Sequence, residues 1–238
     1  MNQQVDAQLR DLRAELGPGD ATPALVAAVA AGRAPLGALG ELAAQQQRII
    51  TSDRRSLLLL ATRCADRPLG AWFATLAEGE SAALRTLPAL AAACGTVLDR
   101  TADHPPLSDH PSPSDQPPLP HHPPLPGCQA YPAYLAWLAL NGLPTATAAA
   151  LVANFAAWGG YCATIAEGLR RHCGFDDEAC AFFDFFAQPA TALEQQAAAA
   201  LAPDALSSAE LAAAREYGTL LQAYERLFWE TLAALPTG

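Results

Sequence analysis

The chain has 238 residues, of which 51% are hydrophobic, and 24 acidic against 14 basic residues give it a formal net charge of −10. Such a charge repels phosphate backbones, and the basic residues form no patch with interleaved aromatic side chains, so nucleic-acid binding is disfavoured. The polar amino terminus contains no apolar signal core, and apolar runs are interrupted before the roughly 20 residues that span a bilayer. We therefore predict a cytoplasmic protein with neither nucleic acid nor membrane as a partner.

The composition also predicts the fold class. Ala and Leu dominate, Arg outnumbers Lys, and no alternating run of Val, Ile or Thr bounded by turn residues indicates a strand. This length suits one large domain with a sizeable core. We predict an all-α bundle, a single domain over residues 1–238 with a Pro- and His-rich insertion at 103–127.

The first half of the chain is predicted to contain helices over residues 4–16, 22–32 and 36–64. Residues 68–94 then form one or two helices bent near Gly79, with a kink at Pro88. At 100° per residue, Asp53 in the third helix and Glu80 in the next share an arc with apolar residues. Both carboxylates are therefore predicted to point inward.

Residues 95–127 change abruptly to Pro, His and Ser and hold four of the five histidines: His104, His110, His121 and His122. Such a tract favours an extended, polyproline-like conformation. Metal binding or partner docking is conceivable here. A tolerated surface insertion is the favoured interpretation, because histidines separated by prolines have no fixed mutual geometry.

The segment 129–169 is predicted to organise the fold. It reads as two helices joined at 141–144, and the second is apolar on nearly every face, which is typical of a helix at the centre of a bundle. Helices over 175–187, 189–201 and 207–235 follow. Ser207 and Glu210 have the spacing of a capping box, and Glu225 lies on or beside the apolar stripe of the last helix.

Three carboxylates, Asp53, Glu80 and Glu225, are thus predicted to converge from three helices as catalytic candidates. A buried carboxylate must be paired, protonated or solvated, so their convergence indicates a polar cavity. Ordinary bonding to helix ends or to Arg is an equal alternative for any one of them. A second set could stack on and hydrogen-bond to a flat heteroaromatic ligand: Gln46, Tyr131, Tyr134, Asn154, Trp158, Tyr161, Cys162 and Trp229.

The six cysteines show no CxxC spacing and lie mostly in apolar helical runs, so reduced, buried thiols are predicted and a zinc site is not. Cys162 could serve as a nucleophile. Nothing in the sequence lowers its pKa, and an inert thiol is the preferred interpretation.

Several segments together resemble the TenA/thiaminase II family, some of whose members carry the label of transcriptional regulators: QQQRIITSDRR, GESAALRTLPALAAACG, AYPAYLAWLALNG, a Trp-x-x-Tyr helix and Glu225-x-x-Phe228-Trp229. The resemblance covers nearly the whole chain outside the Pro-rich tract. It implies the haem-oxygenase-like helical fold, a homo-oligomer of two or four copies, and neither metal nor cofactor. It also implies hydrolysis of thiamin-derived aminopyrimidines in thiamin salvage.

By position, Glu225 matches the catalytic glutamate of the family and Tyr131 its pocket tyrosine. The nucleophilic cysteine of typical members, in a Pro-Cys-x-Trp element, is missing, because the corresponding residues 153–158 read ANFAAW. The family's pocket aspartate aligns near Gln46 or Gln47, which leaves Asp53 as its substitute. The resemblance is therefore to a cysteine-less, divergent member that relies on glutamate.

Two alternatives remain. The same fold hosts di-iron oxidases, and Glu80 matches one ligand position, but Leu87 replaces the histidine expected two turns later, which disfavours a metal site. The other alternative is a ligand-binding or regulatory protein that has kept the fold and lost the chemistry.

Overall fold

The computed structural model describes residues 3–17, 22–98, 122–203 and 205–236, and no strand occurs among them. Helix α7 continues into one π-helical turn, Leu169–Cys173. The ten α-helices are α1 Gln3–Glu15, α2 Ala24–Ala30, α3 Leu36–Arg63, α4 Pro68–Leu84, α5 Leu87–Ala93, α6 Pro126–Asn141, α7 Pro144–Gly168, α8 Asp177–Ala187, α9 Thr191–Leu201 and α10 Ser208–Ala233. The all-α prediction is confirmed.

Most predicted helix ends agree with the structure to within three residues, and the capping box forms with both reciprocal bonds between Ser207 and Glu210. The predicted bend near Gly79 is wrong, because α4 runs through it without a break. The chain turns instead at residues 85–86. Pro88 then lies in the first turn of α5 rather than at a kink, where its missing N–H costs no helical bond.

The predicted insertion lies largely outside the described residues, together with His104, His110 and His121. Its last two residues belong to α6, which begins at Pro126. After the insertion, residues 122–129 pack against α3. There the fully buried Gln45 accepts hydrogen bonds from Leu125 N at 3.1 Å and from Gln129 Nε2 at 3.1 Å. Beside it, His122 Nδ1 lies 2.8 Å from Glu41 Oε2.

Helix α7 is the central helix, as predicted, and packs against α1, α2, α8, α9 and α10. It continues through Asn154, Gly159 and Gly160, which therefore do not interrupt it. By length and composition, residues Pro144–Cys173 could cross a membrane, but 56% of the apolar window is buried within the bundle. A bundle core accounts for these apolar residues, since a helix that is apolar all round needs a partner on every side.

The core consists of two hydrophobic clusters, one at each end of the long helices. Helix α3 contributes Leu57 and Leu60 to the first and Ile49 and Ile50 to the second. Helix α10 is divided in the same way, with Leu221 in the first cluster and the stretch from Phe228 onward in the second. Between the two clusters, the inward positions on the long helices are polar.

Candidate functional site

Five helices each place one polar side chain in the layer between the two core clusters, where it lines a cavity of about 710 Å³. In chain order these are Asp53 on α3, Glu80 on α4, Tyr131 on α6, Asn154 on α7 and Glu225 on α10. The structure therefore brings together all three predicted catalytic carboxylates. A polar layer in a core needs partners or a ligand, because burial of an unpaired polar group is costly.

Glu225 is only 8% exposed, and each of its carboxylate oxygens accepts a hydrogen bond. Its Oε2 accepts from Asn154 Nδ2 at 3.0 Å, and its Oε1 accepts from Trp229 Nε1 at 3.4 Å. Burial raises the pKa of Glu225, while these two hydrogen bonds act in the opposite direction because they favour the ionised form. The carboxylate is thus fixed in position and more basic than an exposed one.

Asp53 and Glu80 form a second acidic group in the cavity. Burial, followed by the charge of Glu80, raises the pKa of Asp53 well above its ordinary value. Burial raises the pKa of Glu80 to about 8. Ionising both buried carboxyls would place two like charges close together, which is unfavourable, so at neutral pH the pair retains a proton.

Tyr131 lies among all three carboxylates. Its pKa is raised first by burial and then by the charges of Asp53, Glu225 and Glu80, and a hydrogen bond with Asn154 opposes part of this rise. The hydroxyl therefore stays protonated and can donate. Gln46 and Trp158, two of the predicted ligand-binding residues, also line the cavity.

Four predicted ligand-binding residues lie outside the cavity lining. Trp229 is behind Glu225 and contacts Tyr161 edge-on, with ring centroids 5.8 Å apart. Tyr134 stacks on Trp137, with centroids 5.8 Å apart and planes 8° from parallel. Cys162 is fully buried in the second core cluster. Helical spacing placed these residues close to the site, but none of them lines the cavity.

The term cysteine-less is wrong for this chain, which contains six free cysteines: Cys64, Cys94, Cys128, Cys162, Cys173 and Cys180. None of them lines the cavity. Burial, followed by the charge of Glu225, raises the pKa of Cys162 well above its ordinary value. The thiol is therefore a poor nucleophile at neutral pH, since the thiolate is the reactive form.

The rest of the cavity lining is mostly apolar, and sequence reasoning missed most of it. Its lining continues along α7 and reaches the connection between α8 and α9, with these further residues: Ile49, Ile50, Leu76, Gly79, Leu151, Phe155, Ala156, Gly159, Gly160, Ala163, Phe185, Phe186, the segment 187–194 and Phe228. Glycines inside helices, at 79, 159 and 160, were the available signal, because such residues often mark open space or a close approach.

In the part of the chain that the structure describes, no group of three or more His, Cys, Asp or Glu side chains could hold a metal ion. The three carboxylates line one cavity, but they do not form such a group. The di-iron oxidase, the disfavoured alternative, therefore has no donor set among these residues.

Comparisons with known proteins identify a fold. A domain of unknown function with a haem-oxygenase-like fold, from Shewanella denitrificans, superimposes with a TM-score of 0.67 at 12% sequence identity. The match covers 97% of this chain and 91% of that one. No protein-family model and no curated protein matches the sequence. The chain has a haem-oxygenase-like fold, as the resemblance to TenA proteins implied, and membership of that family remains a prediction.

Proposed function

We propose that this haem-oxygenase-like protein is a TenA-like hydrolase that removes an amino or formyl group from a thiamin-derived aminopyrimidine or a related small heteroaromatic compound. The observation that carries the proposal is Glu225, a buried carboxylate fixed by Asn154 and Trp229 at the wall of a cavity that could hold such a ligand. The sequence resemblance supplies the substrate class.

In the proposed deformylation, ionised Glu225 takes a proton from a bound water while the water oxygen bonds to the formyl carbon, and it returns the proton to the amide nitrogen as the carbon–nitrogen bond breaks. On the free amine the carbon is saturated, so its bond to the water oxygen forms as its bond to the protonated amino group breaks, and Glu225 takes the proton of the water. A base whose pKa is raised towards neutrality suits both steps. Asp53 and Glu80 orient the ring nitrogens and the exocyclic amine, and Tyr131 donates to the ligand.

The cavity composition also favours a second candidate, a ligand-binding or regulatory protein without turnover. No thiol lines the cavity, so the nucleophile that the resemblance leads one to expect has no replacement among the described residues. Such a protein would hold the same ligand through the same carboxylates. A homo-oligomeric state and a cytoplasmic location remain predictions under either function.

Turnover separates the two candidates. Purified protein is incubated with thiamin, with 4-amino-5-aminomethyl-2-methylpyrimidine and with its N-formyl derivative, while the released thiazole alcohol, ammonia or formate and the melting temperature are followed. Release of any of these products supports the hydrolase. A raised melting temperature without product supports the binding protein, because a ligand that binds only the folded state stabilises it by mass action.

A further inference from the structure

The cavity is too large and too apolar for one small ring. Volumes of about 300–1,000 Å³ are typical of pockets that enclose drug-sized ligands, and this cavity measures about 710 Å³. The polar groups lie in the layer between the core clusters, whereas most of the remaining lining is apolar. A heteroaromatic ring among the carboxylates would leave the rest of the space unfilled.

The polar end of the cavity contains acceptor oxygens that need hydrogen-bond donors from a ligand. Oδ1 of Asp53 and Oδ1 of Asn154 are buried atoms with no hydrogen-bond partner, on side chains that are each 6% exposed and line the cavity. The Asn154 oxygen is an acceptor, Asp53 accepts on its unprotonated oxygen, and the carboxylates of Glu80 and Glu225 lie in the same layer. A group with N–H donors or positive charge satisfies these oxygens, whereas an anionic group would be repelled.

The apolar end opens towards solvent along α7. Ala156, Gly160 and Ala163 follow one another at helical spacing, line the cavity and are exposed. A Cβ atom built on Gly160 would meet no atom within 4 Å, so this glycine borders open space. Phe185, which is 38% exposed, contributes an aromatic side chain from α8.

The rim of this opening is held in place from both sides. The buried Trp72 donates from Nε1 to the backbone oxygen of Leu193 at 2.9 Å, and Arg13 Nη2 lies 3.2 Å from Glu194 Oε2. Both contacts fix the start of α9, where the lining ends. The opening is therefore a preformed part of the cavity.

We propose that the cavity takes an elongated ligand, with a basic, nitrogen-containing head among the carboxylates and an apolar tail along the groove bordered by Ala156, Gly160, Ala163 and Phe185. The inference rests on the proposed function for the aminopyrimidine identity of the head. It adds that the natural substrate carries a long apolar substituent on that head, such as an acyl group on the exocyclic amine.

A chain-length series tests the tail. The probes are the formyl, butanoyl, hexanoyl and octanoyl amides of 4-amino-5-aminomethyl-2-methylpyrimidine, and binding is followed through tryptophan fluorescence, since Trp158 lines the cavity. We expect the Kd to fall with length, by up to about fourfold for each methylene that becomes buried. A Kd that does not change with acyl-chain length would contradict the proposal that the cavity binds an apolar tail.

Gly160→Leu places a side chain in the groove and should abolish the gain in affinity with length, so that its Kd values stay near that of its formyl compound throughout the series. Gly37→Leu is the matched control, because Gly37 is also an exposed helical glycine with no atom near its Cβ position, and it does not line the cavity. Ala156→Leu provides a second blocking variant in case Gly160→Leu fails to fold. Equal length dependence in all variants overturns the placement of the tail.

The outcomes separate the tail from the proposed function. If no member of the series is hydrolysed, yet binding tightens with length and Gly160→Leu removes the effect, the proposed hydrolase is wrong and the tail stands. If the formyl compound is hydrolysed and length has no effect, the hydrolase stands and the tail is wrong. If no member of the series binds, both the proposed hydrolase and the proposed tail site are wrong.

Discussion

The side-chain amide of Asn154 on α7 donates to the carboxylate of Glu225 on α10 across 3.0 Å, within the polar layer between the two core clusters. The central helix thereby orients the group to which we assign proton transfer. The contact also lowers the pKa of Glu225 against the rise caused by burial. Both effects lead to measurable predictions.

Asn154→Ala should shift the pH dependence of activity. Without the amide, the pKa of Glu225 rises further, so the ascending limb of kcat/KM, which requires the ionised base, moves to higher pH. Its maximum should also fall, since the carboxylate loses its orientation. The control is Asn141→Ala, because the exposed Asn141 donates to Trp137 O within its own helix and lies outside the cavity lining. An unshifted limb in Asn154→Ala would contradict the assignment.

Glu80 should make the protein less stable as the pH rises. The pKa of Glu80 is about 8 in the folded protein against an ordinary value of 4.5, so between these values the folded state holds a proton that the unfolded state has released. The free energy of unfolding therefore falls as the pH rises through this window.

Glu80→Gln should flatten this pH dependence and raise the melting temperature most at pH 8. Thermal unfolding at pH 5, 6, 7 and 8 measures the difference between variant and wild type. Glu78→Gln, an exposed change on the same helix, controls for the loss of one surface charge. Parallel curves for Glu80→Gln and the wild type would show that Glu80 titrates normally.

Gly168→Ala should destabilise the contact between α2 and α7. A Cβ atom at Gly168 would lie 2.7 Å from Val29 O and 2.9 Å from Val29 Cγ1, and overpacking of this kind costs about 1–3 kcal/mol. Gly160→Ala is the matched control, because its Cβ position is open and alanine is favoured over glycine in helices by about 0.5–1 kcal/mol. Urea unfolding of the two variants should give changes of opposite sign.

Gln45→Ala should loosen the chain where it returns to α3. Gln45 accepts from Leu125 N and Gln129 Nε2 and donates to Pro123 O at 2.8 Å. Its removal leaves several of these groups unpaired, at a cost of about 1–3 kcal/mol each when they remain buried. Limited proteolysis should then cleave near residue 123 faster than in the wild type. Gln195→Ala, at an exposed position on α9, should leave the rate unchanged.

Local signals were sufficient for much of the fold. The capping box at Ser207, the apolar central helix and the inward placement of Asp53, Glu80 and Glu225 all followed from helical spacing and were confirmed. The bend assigned to Gly79 was wrong. Helix α4 runs unbroken through Gly79, and a Cβ atom there would make only an ordinary van der Waals contact with Phe185, at 3.7 Å.

The sequence predicted which polar side chains point into the core, but it did not predict which residues line the cavity. Helical periodicity gives the angle at which a side chain leaves its helix, and that angle correctly placed the carboxylates. Helical periodicity does not show whether the side chain of another residue lies between that side chain and the cavity. Trp229 and Cys162 were therefore assigned to the pocket, although they lie behind it. The segment 187–194 was missed because it spans the connection between α8 and α9, where helical periodicity gives no side-chain direction.

The most direct test of the proposed chemistry is the turnover number of Glu225→Gln on the formylated or free aminomethylpyrimidine, compared with that of Glu230→Gln, an exposed change on the same helix. Glutamine can still accept from Asn154, but it cannot take a proton from water. We predict that kcat falls by at least about 100-fold while ligand affinity is retained, and that Glu230→Gln is fully active. Wild-type turnover by Glu225→Gln would contradict the role assigned to this carboxylate.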